Sequence, residues 1–229
     1  MAEQTTKTAA ELLGISERQV RHLVDSGELD ARKVAGRLFI DETSLDRRLR
    51  SRPGPGRPLS GRAAWACLWE LSGERAEWLG RSERSRLRSW LDRWSPEDVM
   101  QACRRRSARH DLRVLPRYLP DVLAAEGIAA GGLSAAATVG ADIVGAGPAE
   151  IYSTDATLRE LVERFGLSTH GESNLTVRIA HPPGDRLVEG RDVMPAAVVA
   201  VDLMEAADTR TRRAGVDLAA QLLDQRRYR

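Results

Sequence analysis

The chain has 229 residues, 42% of them apolar and 30% charged, with 35 Lys/Arg against 33 Asp/Glu and a formal net charge of +2. This balance suits a globular protein and excludes wholesale disorder. Two cysteines, Cys67 and Cys103, exclude a disulfide-stapled scaffold, and the scattered His22, His110, His170 and His181 have no zinc-site spacing. The opening MAEQTTKTAAELL has no basic stretch leading into an apolar core, so a signal peptide is not expected. The most apolar stretch, 127–149, is dominated by Gly and Ala and interrupted by Asp142, so no membrane-spanning helix is expected there either. The sequence reads as cytoplasmic.

Charge is unevenly divided. Residues 1–120 hold 24 Lys/Arg against 17 Asp/Glu, whereas residues 121–229 hold 11 against 16. A basic front and an acidic back fit a nucleic-acid reader joined to a separate partner domain.

The first fifty residues carry the most specific pattern. Thr6 can cap a short helix whose apolar face is Ala9, Leu12 and Leu13, stopping at Gly14-Ile15. Ser16 and Gln19 then have the spacing of a capping box, which starts a second helix directly after the turn. Val20, Leu23 and Val24 face inward, and Gly27 ends the helix. Its outward positions are Glu17, Arg18, Arg21 and His22, with Gln19 at the edge. Arg can donate two hydrogen bonds to guanine and Gln can pair with adenine, and both lie near the helix start, where a recognition helix meets base edges. Residues 31–40 read as a hairpin with Ala35-Gly36 at its tip, flanked by Arg32, Lys33 and Arg37 as backbone contacts. A third helix with Leu45 and Leu49 inward closes the small core. Residues 51–58, with three prolines and two glycines, read as a linker.

Residues 62–126 read as helical. Leu87, Trp90, Leu91 and Trp94 mark one stripe of a helix opened by Ser82, and Ser95-Pro96-Glu97-Asp98 opens another. Beyond residue 130, Leu175–Ile179 alternates as a half-buried strand does, and Leu158, Leu161, Val162 and Phe165 mark a helix ending at Gly166. Two helices, 196–206 and 209–226, are separated by Asp208 as cap. The expected fold class is α+β and mostly helical. It comprises a winged helix-turn-helix over 1–50, a linker over 51–58, and a helical segment with a small α/β domain over 59–229.

The pattern TTKTAAELLGISERQVRHLVDSGELDARKVAGRLFIDETSLDRRL closely resembles the excisionase/MerR-like winged helix-turn-helix family. The shared features are the T-x-x-x-A-A-x-x-L-G-I-S opening, the G-x-L ending of the second helix and the G-R wing. The resemblance implies double-stranded DNA binding, as a dimer or cooperative array, with residues 17–25 as recognition helix and 32–38 as wing. Arg21 stands where many relatives carry an aromatic residue. The DNA-binding set is therefore Ser16, Arg18, Gln19, Arg21, His22, Arg32, Lys33 and Arg37. Farther on, GRPLSGRAAWACLWELSG, GGLSAAATVGADIV and AAVVAVDLMEAADTRTRRAGVDL resemble actinobacterial AbiEi-type antitoxins. That resemblance implies a repressor of its own operon that opposes a nucleotidyltransferase-like toxin, with or without touching it.

Other constellations carry less. Gly145-Ala146-Gly147-Pro148 lacks the third glycine of a dinucleotide fingerprint and reads as a turn. Arg104, Arg105 and Arg106, with Arg109 and Arg113, either extend the DNA footprint or answer a helix dipole. The five tryptophans read as core, and Asp202 with Glu205 as a surface pair. No nucleotidyltransferase, P-loop or nucleophile-elbow pattern occurs, so no catalytic residue, cofactor or metal is expected. The alternatives are an excisionase-like recombination accessory factor and a DNA-binding head fused to an unrecognised enzyme domain.

Overall fold

The computed structural model describes residues 3–13, 15–25, 29–34, 36–42, 44–45, 58–143 and 147–228. The chain divides into two compact units, Met1–Pro53 and Gly54–Arg229. Except for Pro58, the expected linker lies outside the described residues, as do Gly14, Gly27 and Leu49.

The N-terminal unit runs β1 (Glu3–Thr5), α1 (Thr6–Leu13), α2 (Glu17–Asp25), β2 (Ala31–Val34) and β3 (Arg37–Asp41). Its sheet is antiparallel in the order β1-β3-β2, with Thr5 opposite Phe39 and Val34 opposite Arg37. Gly36, at the hairpin tip, has φ +78°, which glycine adopts without steric cost. Ala9, Ala10, Leu13, Val20, Leu29, Ile40 and Leu45 form the core, with Leu23 and Val24 packed against it. The helical turn at Glu42, Ser44 and Leu45 is opened by Asp41, whose Oδ1 accepts the Ser44 N–H at 2.8 Å.

Three details depart from expectation. Thr5, not Thr6, caps α1, accepting the Thr8 N–H at 3.1 Å, while the Thr6 hydroxyl donates to the Leu38 carbonyl at 3.3 Å. Leu12 is 48% exposed and Ala10 is buried instead. The two are on adjacent stripes of one helix, and packing against α2 and β3 selects the second. Strand β1 was not expected, because three residues are too short to show an alternation.

The C-terminal unit contains α3 (Gly61–Leu71), α4 (Arg81–Leu91), α5 (Pro96–Cys103), β4 (Ser107–Leu112), α6 (Leu119–Leu123), β5 (Ala129–Ala130) and α7 (Gly132–Ala135). There follow β6 (Ala149–Ser153), α8 (Asp155–Phe165), β7 (Leu175–Ala180), α9 (Gly184–Val188), α10 (Ala196–Met204) and α11 (Thr209–Arg227). The sheet order is β4-β7-β6-β5; β6 and β7 are parallel and joined through α8, and the other pairs are antiparallel. The architecture is α+β. On one sheet face Ile151, Leu175, Val177 and Ile179 pack with Leu161 and Phe165 of α8. On the other, Tyr152 and Ala180 join a larger core with Trp65, Trp69 and helix α10, which is buried from Ala197 onward.

Capping explains most boundaries. Ser95 opens α5 as expected and forms a reciprocal box with Asp98, Asp208 accepts the Thr211 N–H at 2.8 Å to open α11, and Gly166 at φ +65° ends α8. Helix α4 starts earlier than expected: Gly80 precedes it, and the Glu83 carboxylate accepts the Gly80 N–H at 3.0 Å, leaving Ser82 inside the first turn. Residues 107–112 form an edge strand rather than helix, its exposed Arg109 and His110 hiding the alternation from a pattern reading.

Strand β7 is buried on both faces, not one. Its polar face is satisfied internally: Thr176 donates to Asp111 at 2.8 Å, and Arg178 enters an ion cluster. In that cluster Arg106 contacts Asp202 at 2.6 Å and Glu205 at 2.8 Å, and its Nε donates to the Tyr152 hydroxyl at 3.0 Å. The Tyr152 hydroxyl in turn donates to Asp202 at 2.7 Å. Arg178 meets Asp202 at 3.2 Å, Glu205 at 2.8 Å, and Glu150 closely. Asp202 and Glu205 are thus not a surface pair; Asp202 is 2% exposed. Cys67 and Cys103 are buried free thiols, and the contact with Cys103, with burial, pushes the Cys67 thiol well up.

The cluster sets two arginines against three carboxylates. Burial and then the Asp202 carboxylate push Glu150 up, against the pull of Arg178. Burial also opposes the Glu205 charge, but Arg106 and then Arg178 outweigh it and hold that carboxyl below its usual range. Arg106→Met should cost about 3–5 kcal/mol in urea unfolding, because it strips a buried pair of its cation. Glu150→Gln should cost nothing at neutral pH, since it removes the surplus negative charge. The raised Glu150 makes stability grow as pH falls through its folded value, whereas the contribution of the lowered Glu205 is lost on acidification. Entering mild acid should therefore stabilise the wild type relative to Glu150→Gln.

Candidate nucleic-acid interface

The interface starts from how α2 is held. The Ser16 Oγ accepts the Gln19 N–H at 3.3 Å, while the Gln19 Oε1 accepts from the Ser16 N–H and the Ser16 hydroxyl, both at 3.0 Å. This reciprocal box satisfies orphan helix donors and fixes the direction of the first turn. Val20 is fully buried beneath it. The same oxygen is what a bidentate contact to adenine needs, so in this geometry Gln19 and Ser16 position the helix, and Gln19 presents only its amide donors outward.

Arg18, Arg21 and His22 are exposed, at helical spacing on one side of α2. Arg18 makes no ion pair or hydrogen bond among the described residues. Arg21 reaches Glu17 at 3.5 Å, with both side chains largely in solvent. Such an exposed i, i+4 pair is worth about 0.3–0.5 kcal/mol, so a phosphate or base edge can displace it.

Between α2 and the hairpin lies a groove of about 610 Å³ lined by Lys7, Glu17, Arg21, Lys33, Leu38 and others. Three cations face one carboxylate there, a local surplus suited to a polyanion. The groove joins Arg21 of the helix to Lys33 of the wing, two residues placed in one set from sequence. It adds Lys7, whose signal was only its position at the start of α1, one of two lysines in an arginine-rich chain. Arg32 is exposed on β2. Arg37 pairs through its backbone with Val34, and its side chain lies outside the described residues.

The five-arginine cluster at 104–113 does not form a single patch. Arg106 is fully buried in the ion cluster, and Arg109 pairs with Asp111 at 2.9 Å, leaving Arg104, Arg105 and Arg113 exposed. Gly145 and Ala146 lie outside the described residues. Among the described residues no group of three or more His, Cys, Asp or Glu is placed to hold a metal, and no helix is long and apolar enough to cross a membrane.

Residues 5–53 match the family model described as a helix-turn-helix domain. The match spans α1, the turn, α2 and the hairpin, so the N-terminal unit is a helix-turn-helix domain, and this supports DNA binding. No curated protein and no solved structure matches the chain.

Because the box is local, Ser16→Ala should destabilise the N-terminal unit by about 1 kcal/mol. Amide hydrogen exchange across residues 17–25 should speed up accordingly, with the C-terminal unit unchanged.

Proposed function

We propose that the protein is a sequence-specific DNA-binding transcriptional repressor that controls its own toxin–antitoxin operon. The observation that carries DNA reading is the capped helix α2, with Arg18, Arg21 and His22 outward beside a groove that also holds Lys33. Arg18 and Arg21 address base edges in the major groove; Lys7 and Lys33 hold the sugar-phosphate backbone, with Arg32 and Arg37 as further wing contacts. Reading a two-fold operator takes two such heads, so the protein acts as a homodimer or a cooperative array.

The antitoxin assignment rests on the resemblance of residues 58–226 to AbiEi-type antitoxins. On this reading the C-terminal unit serves dimerisation or opposes a nucleotidyltransferase-like toxin, has no catalytic role, and works in the cytoplasm. An excisionase role is disfavoured by the large second unit, since excision factors are little more than the head. Co-expression decides the antitoxin role: the chain should relieve the growth arrest caused by the product of a neighbouring nucleotidyltransferase-like gene, and failure to do so removes that assignment.

Mobility shift on the protein's own promoter fragment tests the reading head. Arg18→Ala should cost about 1–3 kcal/mol and relax base choice at one position, whereas Lys33→Ala should weaken all sequences alike and lower the salt slope by about one. Unchanged affinity in both variants removes α2 as the reader.

A further inference from the structure

Outside the helix-turn-helix domain, α3 and α4 flank a cavity of about 450 Å³ whose lining is of two kinds. Leu59, Leu79, Leu87 and Trp90 make it apolar, and Arg86 and Arg105 supply the positive charge. The volume falls within the range of about 300–1,000 Å³ that accommodates small organic ligands.

Three arginines of this region are committed to the fold. Arg84 and Arg88 hold the buried Glu70 at 3.4 and 2.9 Å, and Arg62 holds Glu83 at 2.9 Å. Arg86 and Arg105 are exposed and make no ion pair among the described residues. Glu83 is the one acid in the lining; Arg62 and then the Gly80 N–H hold it below the usual carboxylate range, with a smaller pull from the charge of Arg86, which makes no direct ion pair with it. The cavity therefore keeps two guanidinium groups for an incoming anion. Ser60 and Ala63, in the first turn of α3, also line it, adding the positive end of an eleven-residue helix.

Trp90 gives the cavity a flat wall. Its indole stacks on Trp94 with centroids 5.7 Å apart and planes 14° from parallel, so the ring is braced in place. It is half-buried, in contrast to Trp65 and Trp69 in the core. An aromatic wall next to paired guanidinium groups matches a molecule that is planar at one end and doubly anionic at the other.

We propose that this cavity binds a mononucleotide, its base against Trp90 and its phosphate between Arg86 and Arg105. Guanidinium groups bind phosphate oxygens through charge-assisted, bidentate hydrogen bonds, and stacking on an indole tolerates any base. Pro58, the last residue of the 51–58 segment, also lines the cavity.

Calorimetry on the full chain without DNA tests the proposal, so its failure is separate from failure of the operator reading. The probes are the four ribonucleoside monophosphates, adenosine, and inorganic phosphate. At least one monophosphate should bind saturably, and adenosine and phosphate alone should each bind about tenfold more weakly or worse. Arg86→Ala and Arg105→Ala should each weaken the nucleotide by about tenfold, since each removes a charge-assisted contact. Both side chains are exposed, so these variants keep the fold, as matching thermal unfolding curves should show. Trp90→Phe should retain binding, with loss of the nucleotide-induced quenching of tryptophan fluorescence. The proposal is overturned if no monophosphate binds saturably up to about 1 mM, if phosphate alone binds as well, or if the double arginine variant binds unchanged.

Discussion

Removing a guanidinium from water costs several kcal/mol unless carboxylates and hydrogen-bond acceptors surround it. Arg106 and Arg178 meet that condition at the same place, where the polar face of the sheet lies against α10. Arg106 follows the end of α5, Arg178 is on β7, Glu150 and Tyr152 are on β6, and Asp202 is on α10, so the cluster ties four separate segments of chain. The turn before α7 is shaped to the same end. Gly132, at φ +44°, donates its N–H to Asp202 at 3.2 Å, and a Cβ there would collide with the Glu150 carboxylate. Removing the carboxylates of this cluster would leave Arg178 buried on β7 without a counter-charge.

The N-terminal unit solves a different problem. It has few apolar residues to bury, and its helices are short, so the hydrogen bonds at helix ends carry a large share of its order. Thr5, Ser16 with Gln19, and Asp41 each close one end. The box that opens α2 uses Ser16 and Gln19, so the helix start is held without calling on Arg18 or His22. The backbone that carries the exposed cations is thereby ordered before any anion arrives, which lowers the entropy lost on contact.

The helix-turn-helix and hairpin of the small unit were legible because their signals are local. The Ser16–Gln19 spacing, the Val20/Leu23/Val24 stripe and the glycine at the hairpin tip each depend on neighbouring residues alone. Leu12 is misread against Ala10 because tertiary packing decides between them, and Ser82 reads as the cap although Glu83 reaches back to Gly80. The second unit was harder to read for the same reason. Residues 107–112 alternate weakly because the strand lies at an edge, and Asp202 with Glu205 look solvated until Arg106 and Arg178, far away in sequence, are brought to them. A run of three arginines gives no hint that the third is buried and the first two are not. Lys7 lines the groove from the start of α1, directly after strand β1, which no periodicity announced.

The two cysteines have a practical consequence. Both are buried side by side in the larger core, and the shorter unit contains none. Alkylating reagents attack the thiolate, a form that burial and the neighbouring sulfur suppress at Cys67. Modification therefore waits for the larger core to open and ignores motions of the DNA-binding head. The chain thus contains an intrinsic chemical clock for one of its two halves, available without labels or engineered sites.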